Sequence, residues 1–407
     1  MTARQPREIL FLAHRIPFPP DRGDKIRSHH ILKALRGMAP VHVGCFADDE
    51  RDAGFSGALA EWTASQCLLK RRRSRVAAGV AGLAMGQPML VSLYDDPRMK
   101  QWVERTLVER PIGAIVAFSA QMAHFVPKNL PPDIRFIMDF VDFDSAKYSA
   151  YGAGQGGPMG WINRREGRVL MDFERDVAMR AEVSTFVSEA EADLFVRIAG
   201  AVGADVRPLE NGVDLQYWNA EANFEKVRPK SRPLIVFTGQ MDYRPNVQAV
   251  VSFARNTFPS IRAVLDTSVF TIVGRNPAPE VEALANLPGV IVTGGVPDVR
   301  GWLAAADVVV APLRIARGIQ NKVLEAMAMG KPLVVSPQAA EGIDATAGEH
   351  FIVAPNRERE ADAVLSLIED RDRAVTMGAA ARRRVEERYD WAVSLAPLRG
   401  IVLGEGA

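Results

Sequence analysis

"DVVVAPLRIARGIQNKVLEAMAMGKPLVVS", residues 307–336, reads as a strand, a glycine-bearing loop, a helix, a glycine and a second strand. Its two flanks, 307–313 and 332–336, are apolar without polar alternation, the pattern of parallel strands covered on both faces. The helix, read as starting near Ile319, is apolar except for Glu325, which lies one turn after Asn321 and Lys322. A helix start offers unpaired N–H groups and the positive end of the dipole. Gly318 lets a ligand approach the backbone closely, and Ile319 and Gln320 open the same turn, so the natural guest is an anion such as phosphate. Lys322 adds a formal charge there. A carboxylate at Glu325, on the same side as Asn321 and Lys322, can accept two hydrogen bonds from the vicinal hydroxyls of a ribose. Phosphate and ribose together describe a nucleotide site; a solvated surface glutamate and lysine is the plain alternative.

Working outward, the same unit recurs. Strand-length apolar runs fall at 9–13, 41–47, 114–119, 135–142 and 183–188, then at 234–239, 269–274 and 290–295 before the quoted stretch, with helix-like segments between them. This alternation implies α/β architecture: two doubly wound, Rossmann-like domains facing across a cleft, with the ligand at the carboxyl ends of the strands. The polar, proline-bearing stretch 217–233 reads as the linker. The expected limits are 1–216 for the first domain, 217–390 for the second, and 391–407 for a terminal helix returning to the first. A chain of 407 residues suits two such domains.

Lys and Arg total 50 against 49 Asp and Glu, so bulk charge gives no support for a nucleic-acid partner. The two cysteines, Cys45 and Cys67, fall in apolar runs, which argues against a disulfide framework and for a cytoplasmic setting. No signal peptide is visible at the N-terminus, and the uncharged stretch 76–94 is broken by glycines and Pro88. The six histidines do not group with carboxylates or cysteines at metal-ligand spacing, so neither a metal nor another cofactor is expected. Gly152, Gly154 and Gly157 form a nominal G-x-G-x-x-G, but no strand precedes it and Pro158 follows. It therefore reads as a flexible loop, and an NAD-dependent oxidoreductase is a weak rival.

Four motifs in the second half agree in order and spacing: "LENGVD" (209–214), "FTGQMDYRPN" (237–246), "VIVTGGVPDVRGWLAAADVVVAPL" (290–313) and "KVLEAMAMGKPLVVS" (322–336). In this the chain resembles the family-4 retaining glycosyltransferases, of GT-B architecture. "FLAHRIPFPPDRGDKIRSHHILKAL" and "MDFVDFDSAKY" are similar to one branch, the sugar transferases associated with bacterial exosortase (PEP-CTERM) exopolysaccharide systems, which carry a related "GIQNKVLEAMA" segment. The resemblance implies that Glu325 holds the donor ribose and that Val296 contacts the nucleotide base. It implies further that the loop at Gly23 and Asp24 faces the donor diphosphate, and that Gly239 opens a phosphate-binding turn. The chain departs from the family at three places. Arg317 stands where the first of two glutamates is usual, Gln240 where an arginine is common, with Arg244 or Asn246 to compensate, and Asp139 or Asp142 where many members have a sugar-contacting histidine. Arg317 could pair with an acidic donor sugar or an acceptor phosphate, or point to solvent.

Each position also has a structural reading: Gly23 shaping a turn, Arg244 as a surface turn residue, Asp139 and Asp142 capping a helix, Gly318 and Gly330 ending helices. Catalysis on this view stabilises a departing nucleoside diphosphate with Lys322, Arg244 and the helix start, while domain closure excludes water. The donor would be a nucleotide sugar and the acceptor a glycan or lipid-linked saccharide. A nucleotide-sugar epimerase or hydrolase, or a non-catalytic nucleotide-binding relative, are the competing classes. Lys70, Arg71, Arg72, Arg73 and Arg75 precede the apolar stretch 76–94, a pairing that could hold the protein on an anionic inner membrane face; a solvated basic turn before a buried helix is the alternative.

Overall fold

A computed structural model describes residues 8–71, 73–154, 156–316 and 319–404. Arg317 and Gly318 lie outside the described residues, as do Arg72 and the side chain of Arg75. The chain divides into two compact units, residues 1–210 with 395–407, and residues 211–394.

The first unit is a seven-stranded sheet of β1 (Glu8–Ala13), β2 (Val41–Ala47), β3 (Ser65–Lys70), β4 (Ile112–Phe118), β5 (Arg135–Val141), β6 (Val183–Phe186) and β7 (Val206–Pro208), ordered β3-β2-β1-β4-β5-β6-β7. Every pairing is parallel, so each crossover places a helix on one face or the other. The centre of the sheet is therefore buried on both sides, and Ile9 to Ala13 of β1 are wholly shielded from solvent. Strand order reverses between β1 and β4, which puts this unit's crevice at the carboxyl ends of those two strands. The helix Ala396–Leu403 buries Leu398, Ile401 and Val402 within this unit, and the Ile401 carbonyl accepts a hydrogen bond from Arg135 Nη2 at 3.0 Å.

The second unit has β8 (Leu234–Thr238), β9 (Val269–Val273), β10 (Val290–Gly294), β11 (Val308–Ala311), β12 (Leu333–Val335) and β13 (Ile352–Val353), ordered β10-β9-β8-β11-β12-β13 and again all parallel. Its reversal lies between β8 and β11. These are the strands that lead into the "FTGQ" loop and into the loop of the opening stretch.

Two expectations change. The 217–233 stretch is not a free linker. Val213 N donates to Tyr389 O at 2.6 Å, Arg300 donates to the Tyr217 carbonyl at 3.0 Å, and Arg382 donates to the Trp218 carbonyl at 2.6 Å. These bonds strap 213–218 onto the second unit, so the boundary falls at Glu210, ahead of 216. The glycine-rich segment is not a flexible loop either. Gly152 lies in the helix Asp144–Ala153, and Gly157 opens the long helix Gly157–Arg180. A Cβ on Gly152 would sit 2.7 Å from Arg164 Cγ, so the glycine there permits two helices to pack closely.

Candidate functional site

In the second unit the helix of the opening stretch runs Asn321–Ala328 and starts two residues later than expected. Ahead of it, Arg314 donates to Glu360 Oε1 at 2.5 Å and to the Pro355 carbonyl at 3.2 Å, anchoring the start of the loop. Ile319 and Gln320 precede the helix. Gln320 occupies the N-cap position without a side-chain cap, and the buried Asn321 Oδ1 has no hydrogen-bond partner.

Lys322 is pulled toward the neighbouring strand end. Its Nζ donates to Asn246 Oδ1 at 2.6 Å, Asn246 Nδ2 donates to the Gln240 carbonyl at 2.9 Å, and the ammonium lies 5.3 Å from the centre of the Phe237 ring. Gly239 makes this possible. Its φ is +156°, and a Cβ there would lie 2.7 Å from Asn246 Nδ2 and 3.4 Å from Lys322 Cε. A Cβ on Gly274, at the end of β9, would fall 1.6 Å from the Gly239 carbonyl oxygen. The turn after β8 thus has backbone packed on backbone, with the polar side chains of Asn246 and Lys322 against it. Burial pushes the Lys322 ammonium down to about 8 against the pull of Glu325, and pushes Glu325 up to about 7 against the pull of Lys322. Both shifts have one cause, charges held out of water.

The structure so brings Gly239, Gln240, Asn246, Asn321, Lys322 and Glu325 together at the carboxyl ends of β8 and β11. Arg244 begins the helix that carries Asn246 and is exposed; Val296 follows β10 and packs half-buried on the core. Gly330 does close its helix, with φ of +65°.

In the first unit, Gly23 opens the helix Gly23–Arg36 with free space where a Cβ would stand. Asp24 is already engaged by Arg15 (2.5 Å), Arg22 (2.9 Å) and His14 (3.3 Å). Burial pushes its carboxyl up, yet the His14 contact and the two arginines prevail and hold it well below the usual carboxylate range. Asp139 likewise cannot contact a sugar. It is wholly buried, bonded to Arg27 Nε at 3.0 Å and Nη2 at 2.9 Å, and its Oδ1 accepts from Val141 N at 3.0 Å. That last bond fixes Val141 at φ +71°, a rare conformation for a β-branched residue. Ser119, just past β4, has φ +75°, so the adjacent ends of β4 and β5 both carry non-glycine residues with positive φ. Asp142 is accessible and pairs with Lys147 at 2.7 Å; the helix starts later, at Asp144, and Asp142 does not cap it.

The described side chains of the basic run are ion-paired at the surface. Lys70 pairs with Glu50, Arg71 with Asp48 at 3.1 Å, and Arg73 with Asp95 at 3.3 Å. The following helix, Arg75–Met85, is not buried: Val76, Val80, Leu83 and Met85 are 78%, 64%, 41% and 57% exposed. Among the described residues no helix is long and apolar enough to cross a membrane, and no three of His, Cys, Asp and Glu are grouped to hold a metal.

Sequence reasoning missed the Lys322–Asn246 bond and the Arg27–Asp139 pair, which join positions far apart in the chain. It also passed over Lys147 and Tyr217, which stand within or beside quoted motifs.

Residues 232–370, all within the second unit, match the family model described as glycosyl transferases group 1. The chain is 30% identical over 272 residues to the GDP-mannose-dependent alpha-(1-6)-phosphatidylinositol monomannoside mannosyltransferase of Mycobacterium tuberculosis, covering 62% of this chain and 69% of that one. Among solved structures, sucrose-phosphate synthase from Thermosynechococcus elongatus superposes with a TM-score of 0.69 at 17% identity, covering 97% of this chain and 98% of the other. Anabaena Alr3699/HepE in complex with UDP and glucose gives 0.64 at 15% identity and the same coverage. The structures share the two-domain α/β fold, the sequence match falls on the unit that carries the Lys322 cluster, and the chain belongs to the glycosyltransferase group 1 family.

Proposed function

We propose that this protein is a retaining glycosyltransferase that moves a sugar from a nucleoside-diphosphate donor to a glycan or lipid-linked acceptor in exopolysaccharide assembly. The observation that carries the reading is the Gln240–Asn246–Lys322 chain at the switch point of the second sheet, with Glu325 one turn further on. Lys322, the helix start and Arg244 supply positive charge for the diphosphate. Glu325 accepts from the ribose hydroxyls, and Val296 lies beside the base. No metal is part of this reading; the charge that leaves with the diphosphate is met by the chain's own cations. The mannosyltransferase relative makes GDP-mannose the first donor to test, and the HepE complex makes UDP-glucose the second.

A thermal-shift screen against GDP, UDP and their sugars should show one nucleotide family raising the melting temperature, since a ligand of the folded state stabilises it. Glu325→Ala should weaken binding of that nucleotide by roughly 10- to 100-fold in calorimetry, the range for hydrogen bonds to a charged group. Unchanged affinity would remove the ribose assignment.

We place the acceptor work at a membrane surface through the apolar face of the Arg75–Met85 helix, assisted little by charge because the described basic side chains beside it are paired. Vesicle co-sedimentation should then persist at high salt and fall in Val80→Glu. Binding abolished by salt alone would contradict an apolar contact.

A further inference from the structure

One aromatic ring beside the Lys322 cluster has no task in the reading above. Asp214, the last residue of "LENGVD", accepts hydrogen bonds from the backbone N–H groups of Gln216 and Tyr217, both at 3.0 Å, and so fixes the turn that projects Tyr217. Arg382 donates to the Trp218 carbonyl at 2.6 Å and to the Ala328 carbonyl at 2.5 Å. The strap thereby lies on the helix Asn321–Ala328, one turn beyond Glu325. On its other side the Arg300 guanidinium stacks 3.9 Å from the centre of the Tyr217 ring. Arg300 is itself held by Asp298, through Nε at 3.0 Å and Nη2 at 2.6 Å. Asp298 follows Val296 by two residues and also hydrogen-bonds the Tyr217 hydroxyl.

Tyr217 therefore stands between the end of β10 and Glu325, fastened through its backbone, its hydroxyl and one ring face. Trp218 meets it edge-on, with ring centres 5.1 Å apart and planes at 88°. Despite these contacts the residue remains 42% exposed. A side chain kept for packing alone would be covered. A rigid aromatic ring backed by a guanidinium instead offers a flat surface for another π-system.

We propose that Tyr217 is the stacking platform for the donor's nucleobase, with Arg300 and Asp298 as its positioning residues. The proposal rests on the nucleotide reading of the Lys322 cluster. Stacking accepts any base, so the platform supplies affinity for a nucleoside diphosphate and leaves the choice between uracil and guanine to the edge contacts near Val296.

The test is calorimetry of the full chain with UDP and GDP, using Tyr217→Phe, Tyr217→Leu and Tyr217→Ala beside the wild type. Tyr217→Phe keeps the ring and loses only the hydroxyl bond, so its affinity should stay within about twofold, while Tyr217→Leu and Tyr217→Ala should bind about tenfold more weakly, from the loss of base–aromatic stacking. Base binding should also quench Trp218 emission in the wild type and Tyr217→Phe. Wild-type affinity in the leucine and alanine variants would overturn the platform, as would a phenylalanine variant as weak as alanine, which would assign the effect to the hydroxyl anchor. A wild-type chain that binds neither nucleotide would instead defeat the nucleotide reading itself.

Discussion

Replacing Lys322 by alanine should lower turnover about 100- to 1,000-fold, the range seen when one preorganised donor to a developing negative charge is removed. The geometry sets this size. Lys322 stands in the first turn of a helix whose N-terminus has no side-chain cap, and its ammonium is held by Asn246 and lies over the face of Phe237. Little reorganisation is needed when charge builds on the leaving diphosphate. Burial has brought this group down to about 8, so it is charged at neutral pH only by a narrow margin. Glu325, pushed up to about 7, is only half ionised there.

The sign of the pH dependence follows. Above pH 8 the free protein increasingly has a neutral lysine, and donor binding must first take up a proton, so affinity falls. Below pH 7 the free protein increasingly has a neutral Glu325, which must release a proton before its carboxylate can accept from both hydroxyls, so affinity falls again. Donor affinity should thus peak between about 7 and 8. In Lys322→Ala the alkaline limb should vanish and the acid limb should move to higher pH, since the cation that favours ionised Glu325 is gone. Calorimetry across pH 6 to 9 checks both limbs. An alkaline limb that survives the substitution would mean that another group titrates there.

How much of this was legible in the sequence depends on where the information lies. Most strands were readable because each is a run of contiguous apolar residues, and burial of both faces of a parallel sheet leaves that mark locally; the short edge strands β7 and β13 carry no such run. The same holds for Glu325 and Lys322, whose common helix face follows from 3.6-residue periodicity. What the sequence did not display are bonds across long separations. Asn246 looked like a substitute for a missing arginine, yet it works by holding Lys322 against the Gln240 carbonyl. The basic run has the same limit: a local cluster of positive charge says nothing of Asp48 and Asp95, which reach it from elsewhere in the chain. The stretch 217–233 looked like a linker because it is polar, and polarity does not distinguish a free segment from one whose first residues are held by arginines.

Asp139 is the sharpest instance, and its replacement should affect stability more than chemistry. A strand-end aspartate followed by a helix invites either a capping or a sugar-contacting role. Its carboxylate instead forms a fully buried pair with Arg27 and holds Val141 N. Removing one partner of a buried pair strands the other charge, so Asp139→Ala should cost about 3–5 kcal/mol, read as a lower urea midpoint at unchanged slope. Joining it with Arg27→Met removes the stranded guanidinium, so the double variant should be no less stable than Asp139→Ala alone, and it should recover part of the loss. Turnover per folded molecule, measured well below the melting transition, should fall by far less than in Lys322→Ala. Asp139 acts at a distance from any ligand, by fixing the left-handed turn at Val141 from which Asp142 and Lys147 emerge. An Asp139→Ala protein of wild-type stability that had lost turnover would restore the carboxylate to the reacting groups. The buried ion pair predicts the opposite, because the loss of one charge has to be felt first by the other.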